Sequence, residues 1–422
     1  MTSARIWLTV IAVPAALYFF SYFHRVAPAV VAADLMRAFG IAAAALALLA
    51  AVYPYVFAAM AFVGGGLADG IGPRWTLTAG GVAMAFGTAL FGLAPTFGVA
   101  VAGRLLMGVG ASVVLIAWLS LIAAWLEPDE FATAAGWTQT VGNIGGLAAS
   151  TPLALLVEAA GWRATFVLIG SVTLLLALIV VGVVRDRPTD AMSARPGDGL
   201  RGVIVGVRAV VANRSSWPPV LAAGGMFATA VTLQGLWGVA WLTQVYGLGR
   251  VHAASMIALL GLGVAIGAPL AGWLSDRWQR RRRPFIVFSA AYALCWLVLV
   301  VAGGGQLRVA WLPPFLLGMG VAGGGLALVF ACVREVNDPA RVGLAIGFCN
   351  MPIFLAFGLV QIVSGVVLDA RWQGLARDGV RVYPADAYRA FFGVCLVIAV
   401  GAAAAAALVS ETRCRTITVR RA

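Results

Sequence analysis

Residues 185–216 read RDRPTDAMSARPGDGLRGVIVGVRAVVANRSS. This stretch holds six arginines, two prolines and four glycines, inside a chain that is 62% hydrophobic and only 11% charged. Working outward from it, the chain breaks into stretches free of Asp, Glu, Lys and Arg. Before it lie 6–24, 38–68, 75–103, 105–126, 131–157 and 164–184; after it lie 215–249, 251–275, 284–307, 309–333, 342–368 and 390–410. A bilayer core of roughly 30 Å needs about 20 apolar residues of helix, so each stretch is long enough to cross. Only helices satisfy the backbone in lipid at that segment length. The reading is an all-α integral membrane protein with twelve transmembrane helices. Its divisions are a six-helix bundle at 1–184, a linker at 185–216 and a second six-helix bundle at 217–422, with a short amphipathic helix at 200–212 lying on the membrane surface. The first stretch is too long for a signal peptide, and His24 and Arg25 stand where a cleavage region belongs. It is read as a retained helix continuing to about Ala33.

The formal charge is +13, and all 29 basic residues are arginine. They fall mainly in the gaps between apolar stretches, where they orient a membrane protein, so a nucleic-acid partner is excluded. With the N-terminus inside, nineteen arginines lie on the cytoplasmic side and eight outside, and Arg25 and Arg104 fall within helices. Both termini are therefore expected in the cytoplasm of a bacterial inner membrane. Cys295, Cys332, Cys349, Cys395 and Cys414 form no CxxC pair and read as small hydrophobes, with neither a disulfide framework nor a metal site. No P-loop lysine exists, so no phosphate-cradling loop or nucleotide cofactor is expected.

An internal repeat supports two pseudo-symmetric halves. A shift of 207 positions lays Gly65-x-x-x-Asp69 on Gly272-x-x-x-Asp276, and Gly136 with Asn143 on Gly343 with Asn350; a shift of 210 lays Gly108-x-Gly110 on Gly318-x-Gly320. The segment GGGLADGIGPRW (64–75) resembles the loop between the second and third helices of the major facilitator superfamily. GRLLMGVGAS (103–112) is similar to that superfamily's fourth-helix Arg-Gly motif, and GNIGG (142–146) stands at its Gly-rich fifth-helix motif. FHRVAPAV (23–30) looks like a bacterial group handling organic anions, amino acids or siderophores. The resemblance implies two bundles that alternate access to a midplane site, acting as a monomer. Gly70 departs from the loop motif, which usually carries a basic residue there; Arg277 fills that place in the second half.

Within the spans, ionisable groups are costly and mark function. Arg25 is the foremost: a guanidinium in the first helix holds a carboxylate or phosphate bidentately, or else snorkels outward or pairs with Asp34. His24, its neighbour, is a candidate proton carrier or an interface histidine. Arg104 is expected to couple helices, with Gln139 and Asn143 on the fifth helix, or helix-end carbonyls, as acceptors. The resemblance assigns Asp69 and Asp276 to a gate at the cytoplasmic ends, where the Asp pairs with an arginine and helix ends; Arg74 and the helix dipole are available for this, and Arg277 is counted with the gating residues. Outside the loops only Glu158 and Asp369 approach the spans. Substrate-facing candidates are Tyr22 and Tyr53 in the first half, then Gln234, Trp237 and Asn350, with Trp241 and Gln361 beside them. The glycine pairs Gly142/Gly146, Gly263/Gly267 and Gly320/Gly324 are expected to let helices approach closely.

The function expected is secondary transport of a small anionic or zwitterionic solute across the inner membrane, with a proton as an available co-substrate. Export of a metabolite, siderophore or drug is the rival within transport. A polytopic enzyme or sensor is the rival of another class, and two histidines with no soluble domain leave little to build it from.

Overall fold

The computed structural model describes residues 7–125, 138, 140–186, 207–301, 306–338 and 342–417. Among these, ten helices are long and apolar enough to cross a membrane, or eleven when one bent pair counts as a single span. The stretch Thr140–Val183 is 44 residues long, about 66 Å of helix at 1.5 Å per residue. That is twice a bilayer core, and it is two crossings: Gly161 breaks it with φ 75°, a conformation that glycine adopts without a steric penalty. Dividing the stretch at Gly161 and taking the bent pair as one span gives the twelve expected crossings.

The bent pair is the first span. Helix α1 (Val13–Val26) and helix α2 (Pro28–Phe39) meet at an angle of 55°. The expected helix end at Ala33 is thus extended to Phe39, and a sharp bend is added at Pro28, whose ring cannot continue a straight ladder. Gly40, in the left-handed conformation, ends it.

Four further long helices follow in the first half, beside a π-helical start at Trp7–Ala12 and a helical segment at 140–148. They are α3 (Ala43–Ile71), α4 (Pro73–Leu93), α5 (Phe97–Trp125) and α6 (Thr151–Val183). In the second half α7 (Trp217–Thr232) passes through a π-helical turn, Leu233–Trp237, into α8 (Gly238–Tyr246). It is followed by α9 (Arg250–Trp278), α10 (Arg282–Val301), α11 (Leu312–Gly323), a 3₁₀ turn at Gly324–Ala327 and α12 (Leu328–Val336). Last come α13 (Val342–Ala370), a hairpin of β1 (Ala376–Arg377) and β2 (Val380–Arg381), and α14 (Ala385–Ala407). Of the expected amphipathic segment, residues 207–212 are helical and 200–206 lie outside the described residues.

The chain divides into two compact units, Met1–Ile41 with Ala45–Ser193 and Ala42–Ala44 with Ala194–Ala422. In the first, Phe91 packs on Phe166 at 4.9 Å and Trp162 at 5.8 Å, and the Trp118 indole donates to the Val10 carbonyl at 2.8 Å. In the second, Trp296 and Phe392 (5.8 Å) and Trp241 and Phe392 (5.1 Å) fill the space between α8, α10 and α14. The glycine pairs do bring helices together. A Cβ on Gly267 would lie 2.1 Å from the Val321 carbonyl oxygen, and one on Gly320 would lie 2.1 Å from that of Leu260. Helices α9 and α11 touch backbone to backbone, where lipid-facing leucines give no driving force and close packing has to supply it. Ala43 and Ala44 group with the second unit because Asp369, at the end of α13, accepts from their amides at 3.2 and 2.8 Å, beside the Tyr383 hydroxyl at 2.6 Å.

Candidate functional site

Proline at position 28 has a second consequence beyond the bend. In a straight helix the N–H of residue 28 donates to the carbonyl of residue 24, and proline has no N–H. The His24 carbonyl is therefore orphaned inside lipid, where an unsatisfied oxygen is costly. Arg104, from α5, fills the vacancy: its Nη1 donates to the His24 oxygen at 2.5 Å. The guanidinium also lies 4.8 Å from the Tyr53 ring centre. Of the expected acceptors, a helix-end carbonyl takes the bond, in the last turn of α1; Asn143 stands half-buried on the segment 140–148, and Gln139 lies outside the described residues.

The residue next to that carbonyl is Arg25. Its side chain is only 4% exposed, with the guanidinium 4.0 Å over the Tyr22 ring and 5.5 Å from the Phe57 ring. Tyr53 and Phe57 are stacked at 6.2 Å, so both arginines rest on one aromatic platform. Such faces stabilise a guanidinium through the ring quadrupole and hold its plane fixed. Tyr53 is itself pinned, its hydroxyl donating to the Ser21 carbonyl at 2.5 Å. Gly142 makes room for the ring of Tyr22, since a Cβ there would lie 2.7 Å from it. The first unit thus brings Arg25, Tyr22, Tyr53 and Arg104 together. Asp34 lies 3.8 Å from Arg37. His24 is turned away from this group; its Nε2 meets the Thr88 hydroxyl at 3.0 Å, at the seam with α4.

The ends of the helices depart from the motif reading. Asp69 lies within α3, with its side chain outside the description. Arg74 is tied to the end of α6: its backbone N–H donates to Asp186 at 2.6 Å, and its guanidinium to the Val181 carbonyl. Asp186, near the start of α4, is a partner that the sequence reading missed. In the second unit Asp276 is bonded at 2.7 Å by Arg281, not by the adjacent Arg277, which lies 5.8 Å over Trp273. Arg281 also forks onto Glu335 at 2.7 and 3.0 Å. Glu335 is 2% exposed at the end of α12, so the short list of carboxylates near the spans was incomplete. Burial works to lower the pKa of Arg281, but the bonds to Glu335 and Asp276 outweigh it and raise it above the ordinary arginine value. The tail straps this cluster: Thr412 donates to Glu335, and Glu411 accepts from the Arg281 amide at 2.8 Å.

The remaining candidates occupy the second unit. Trp237 is buried, its indole donating to the Ser364 hydroxyl at 2.7 Å. Gln234 sits half-buried in the π turn. Asn350 lies half-buried in α13, its amide reaching back to the Ile346 carbonyl at 3.4 Å. Trp241 is wholly buried against Phe392 and Tyr246. Among the described residues no group of three or more His, Cys, Asp or Glu is placed to hold a metal.

Comparison with known proteins agrees with this architecture. The profile described as Major Facilitator Superfamily matches residues 15–360. A protein of Cupriavidus necator named "Probable sulfoacetate transporter SauU" is 25% identical over 275 residues, 63% of this chain and 64% of that one, just under two thirds of its length. The "D-galactonate transporter" of Escherichia coli O6:H1 is 24% identical over 391 residues, 86% of this chain and 88% of that one. Among solved structures, a bacterial homologue of the human lysosomal transporter Spinster superposes with a TM-score of 0.80 at 16% identity, covering 97% of this chain and 98% of its own.

Proposed function

We propose that this chain, which belongs to the Major Facilitator Superfamily, carries a small organic anion across the bacterial inner membrane by alternating access, with Arg25 as the anion-holding group. The observation that carries the proposal is a guanidinium 4% exposed inside the first span, seated 4.0 Å over the Tyr22 ring. Burying that charge is expensive, and a substrate carboxylate, sulfonate or phosphate arriving there gains a preorganised bidentate donor. The names of the relatives, a sulfoacetate and a galactonate transporter, point to the same substrate chemistry.

Arg104 has the coupling role in this proposal. It holds the carbonyl next to Arg25, so a movement of α5 is felt by the backbone that carries the anion site. The Arg281–Asp276–Glu335 cluster and the Asp186–Arg74 cap serve as gates at the cytoplasmic ends, with both termini on that side. His24, bonded to Thr88, is the candidate for a coupled proton. The direction proposed is uptake.

The test is charge movement in proteoliposomes on a solid-supported membrane. Carboxylates, sulfonates, phosphate esters, amino acids and cationic drugs are applied with and without a pH gradient. Anion currents that vanish in Arg25→Gln and partly return in Arg25→Lys bear the proposal out. Currents with cations alone, or anion currents untouched by the substitution, refute it and put export first.

A further inference from the structure

Helix α13 and the α7–α8 segment run side by side in the same direction. Phe227 meets Phe354 at 5.6 Å, and Trp237 meets Ser364 at 2.7 Å; in both pairs the positions differ by 127. The same register sets Gln361 level with Gln234, which lies in the π turn. One face of α13 is exposed and apolar, with Leu355, Leu359 and Val366 at 39%, 57% and 53%. Gln361 lies roughly 200° around the helix from Leu359, on the opposite face with Phe357 and Ser364.

Gln361 is 1% exposed, and neither its Oε1 nor its Nε2 has a hydrogen-bond partner among the described residues. A primary amide has two donors and two acceptor sites, and burying it empty-handed inside a membrane bundle is costly. The polar groups beside it are already spent on one another. Trp237 donates to Ser364, and Ser364 donates to the main-chain oxygen of Gln361 at 2.6 Å. Thr232 is likewise wholly buried with its hydroxyl unpartnered, whereas Thr229, on the preceding turn, bonds back to the Gly225 carbonyl at 2.8 Å. The π turn interrupts α7 next to Thr232, and such turns re-aim side chains at functional sites.

We infer that Gln361, with Thr232 and Gln234, forms a hydroxyl-reading subsite in the second unit, and that the substrate is a hydroxylated anion of the hydroxycarboxylate or sugar-acid class. This rests on the proposed anion transport and adds the hydroxyls. An amide offers a donor and an acceptor together, which matches a hydroxyl that is itself both; a carboxylate or sulfonate only accepts. Thr232 supplies a second such group. The subsite is sealed in this structure, and a substrate reaches it when α13 or its neighbours shift during the cycle.

The experiment compares matched anions in the reconstituted protein: a six-carbon aldonate against hexanoate, and glycerate against propionate. Wild type, Gln361→Leu, Gln361→Asn and Thr232→Val are measured beside Arg25→Gln, reading half-saturation, maximal rate and melting temperature. In wild type the hydroxylated member of each pair is preferred. Gln361→Leu is expected to raise its half-saturation concentration about tenfold, the equivalent of one hydrogen bond, and to leave the deoxy anion unchanged. The melting temperature of Gln361→Leu stays level or rises, because an unsatisfied amide has gone, and added aldonate stabilises wild type but not the variant. A wild type indifferent to hydroxyls, or an unchanged preference in folded Gln361→Leu, overturns the inference. If Gln361→Leu does not fold, Gln361→Asn and Thr232→Val carry the same comparison. Anion currents that depend on Arg25 but ignore hydroxyls refute this subsite alone; a wild type that moves no anion refutes the reading beneath it.

Discussion

The contact between Arg104 and the His24 carbonyl exists because Pro28 lacks an N–H, and that cause can be removed. Replacing Pro28 with alanine restores a donor to the first helix, and the His24 oxygen then has a partner of its own. Arg104→Met keeps the length of the side chain and deletes its charge. In wild type this leaves a buried carbonyl unsatisfied and forfeits a charge-assisted bond of 2.5 Å, worth about 1.5–3 kcal/mol. At roughly 2–4 °C per kcal/mol for a unit of this size, the melting temperature falls by about 3–12 °C. In the Pro28→Ala background the same substitution meets a satisfied carbonyl, and its cost drops towards zero. The double-mutant cycle should give a coupling energy of about 2 kcal/mol, read by thermal unfolding of the detergent-purified protein. Transport has to be measured alongside, because straightening a 55° bend next to Arg25 shifts the anion site: Pro28→Ala is expected to lower transport while sparing stability. The reasoning fails if Arg104→Met costs the same in both backgrounds.

Other outcomes follow from the clusters at the helix ends and from the packing. Glu335→Gln leaves Asp276, whose side chain is 67% exposed, as the charged partner of the Arg281 guanidinium beside the neutral Ser275 hydroxyl, and should cost about 2–4 kcal/mol by thermal melt; Arg281→Met with Glu335→Leu should recover most of it. Arg281 adds no pH dependence between about pH 5 and 9. Its raised pKa means that its contribution is complete below the ordinary arginine value and is lost only above that, so a melt series across this range is flat on its account. Asp186→Ala removes the acceptor for the Arg74 amide and a charge at the start of α4, a loss of about 1 kcal/mol in the same assay. Gly267→Ala sets a methyl group 2.1 Å from the Val321 oxygen and should lower folded yield sharply, as judged by monodispersity on size exclusion.

The crossings were legible because lipid imposes a length and a polarity on each helix, and twelve apolar stretches leave little else to build. The gate partners were not, and the reason is helical geometry. Arg277 follows Asp276 directly, and consecutive side chains on a helix point about 100° apart, so chain adjacency misleads. Arg281 reaches Asp276 only because Gln279 adopts a left-handed conformation, φ 51°, which folds the chain back across the end of α9. Asp186 is 112 positions from Arg74, and no local pattern connects them. For Arg104 the candidate acceptors included helix-end carbonyls, and the His24 carbonyl is one; which carbonyl it would be was also signalled, because a proline four residues after His24 announces a carbonyl in need of a donor.

That last signal generalises within this chain. In a membrane every polar group left unpaired by the local sequence must be paired by something distant, and the sequence shows where the deficit arises even when it hides what meets it. The His24 carbonyl is one such deficit, created by Pro28 and met by a guanidinium from another helix. The Gln361 amide is a second, and nothing among the described residues meets it. A protein that places a donor on the first and leaves the second open has treated the two differently. A contact needed in every conformation is supplied from within the chain, whereas a contact needed only during transport is left for the substrate to make. The same logic gives an order to the variants: loss of Arg104 should damage folding and transport together, and loss of the Gln361 amide should damage selectivity alone.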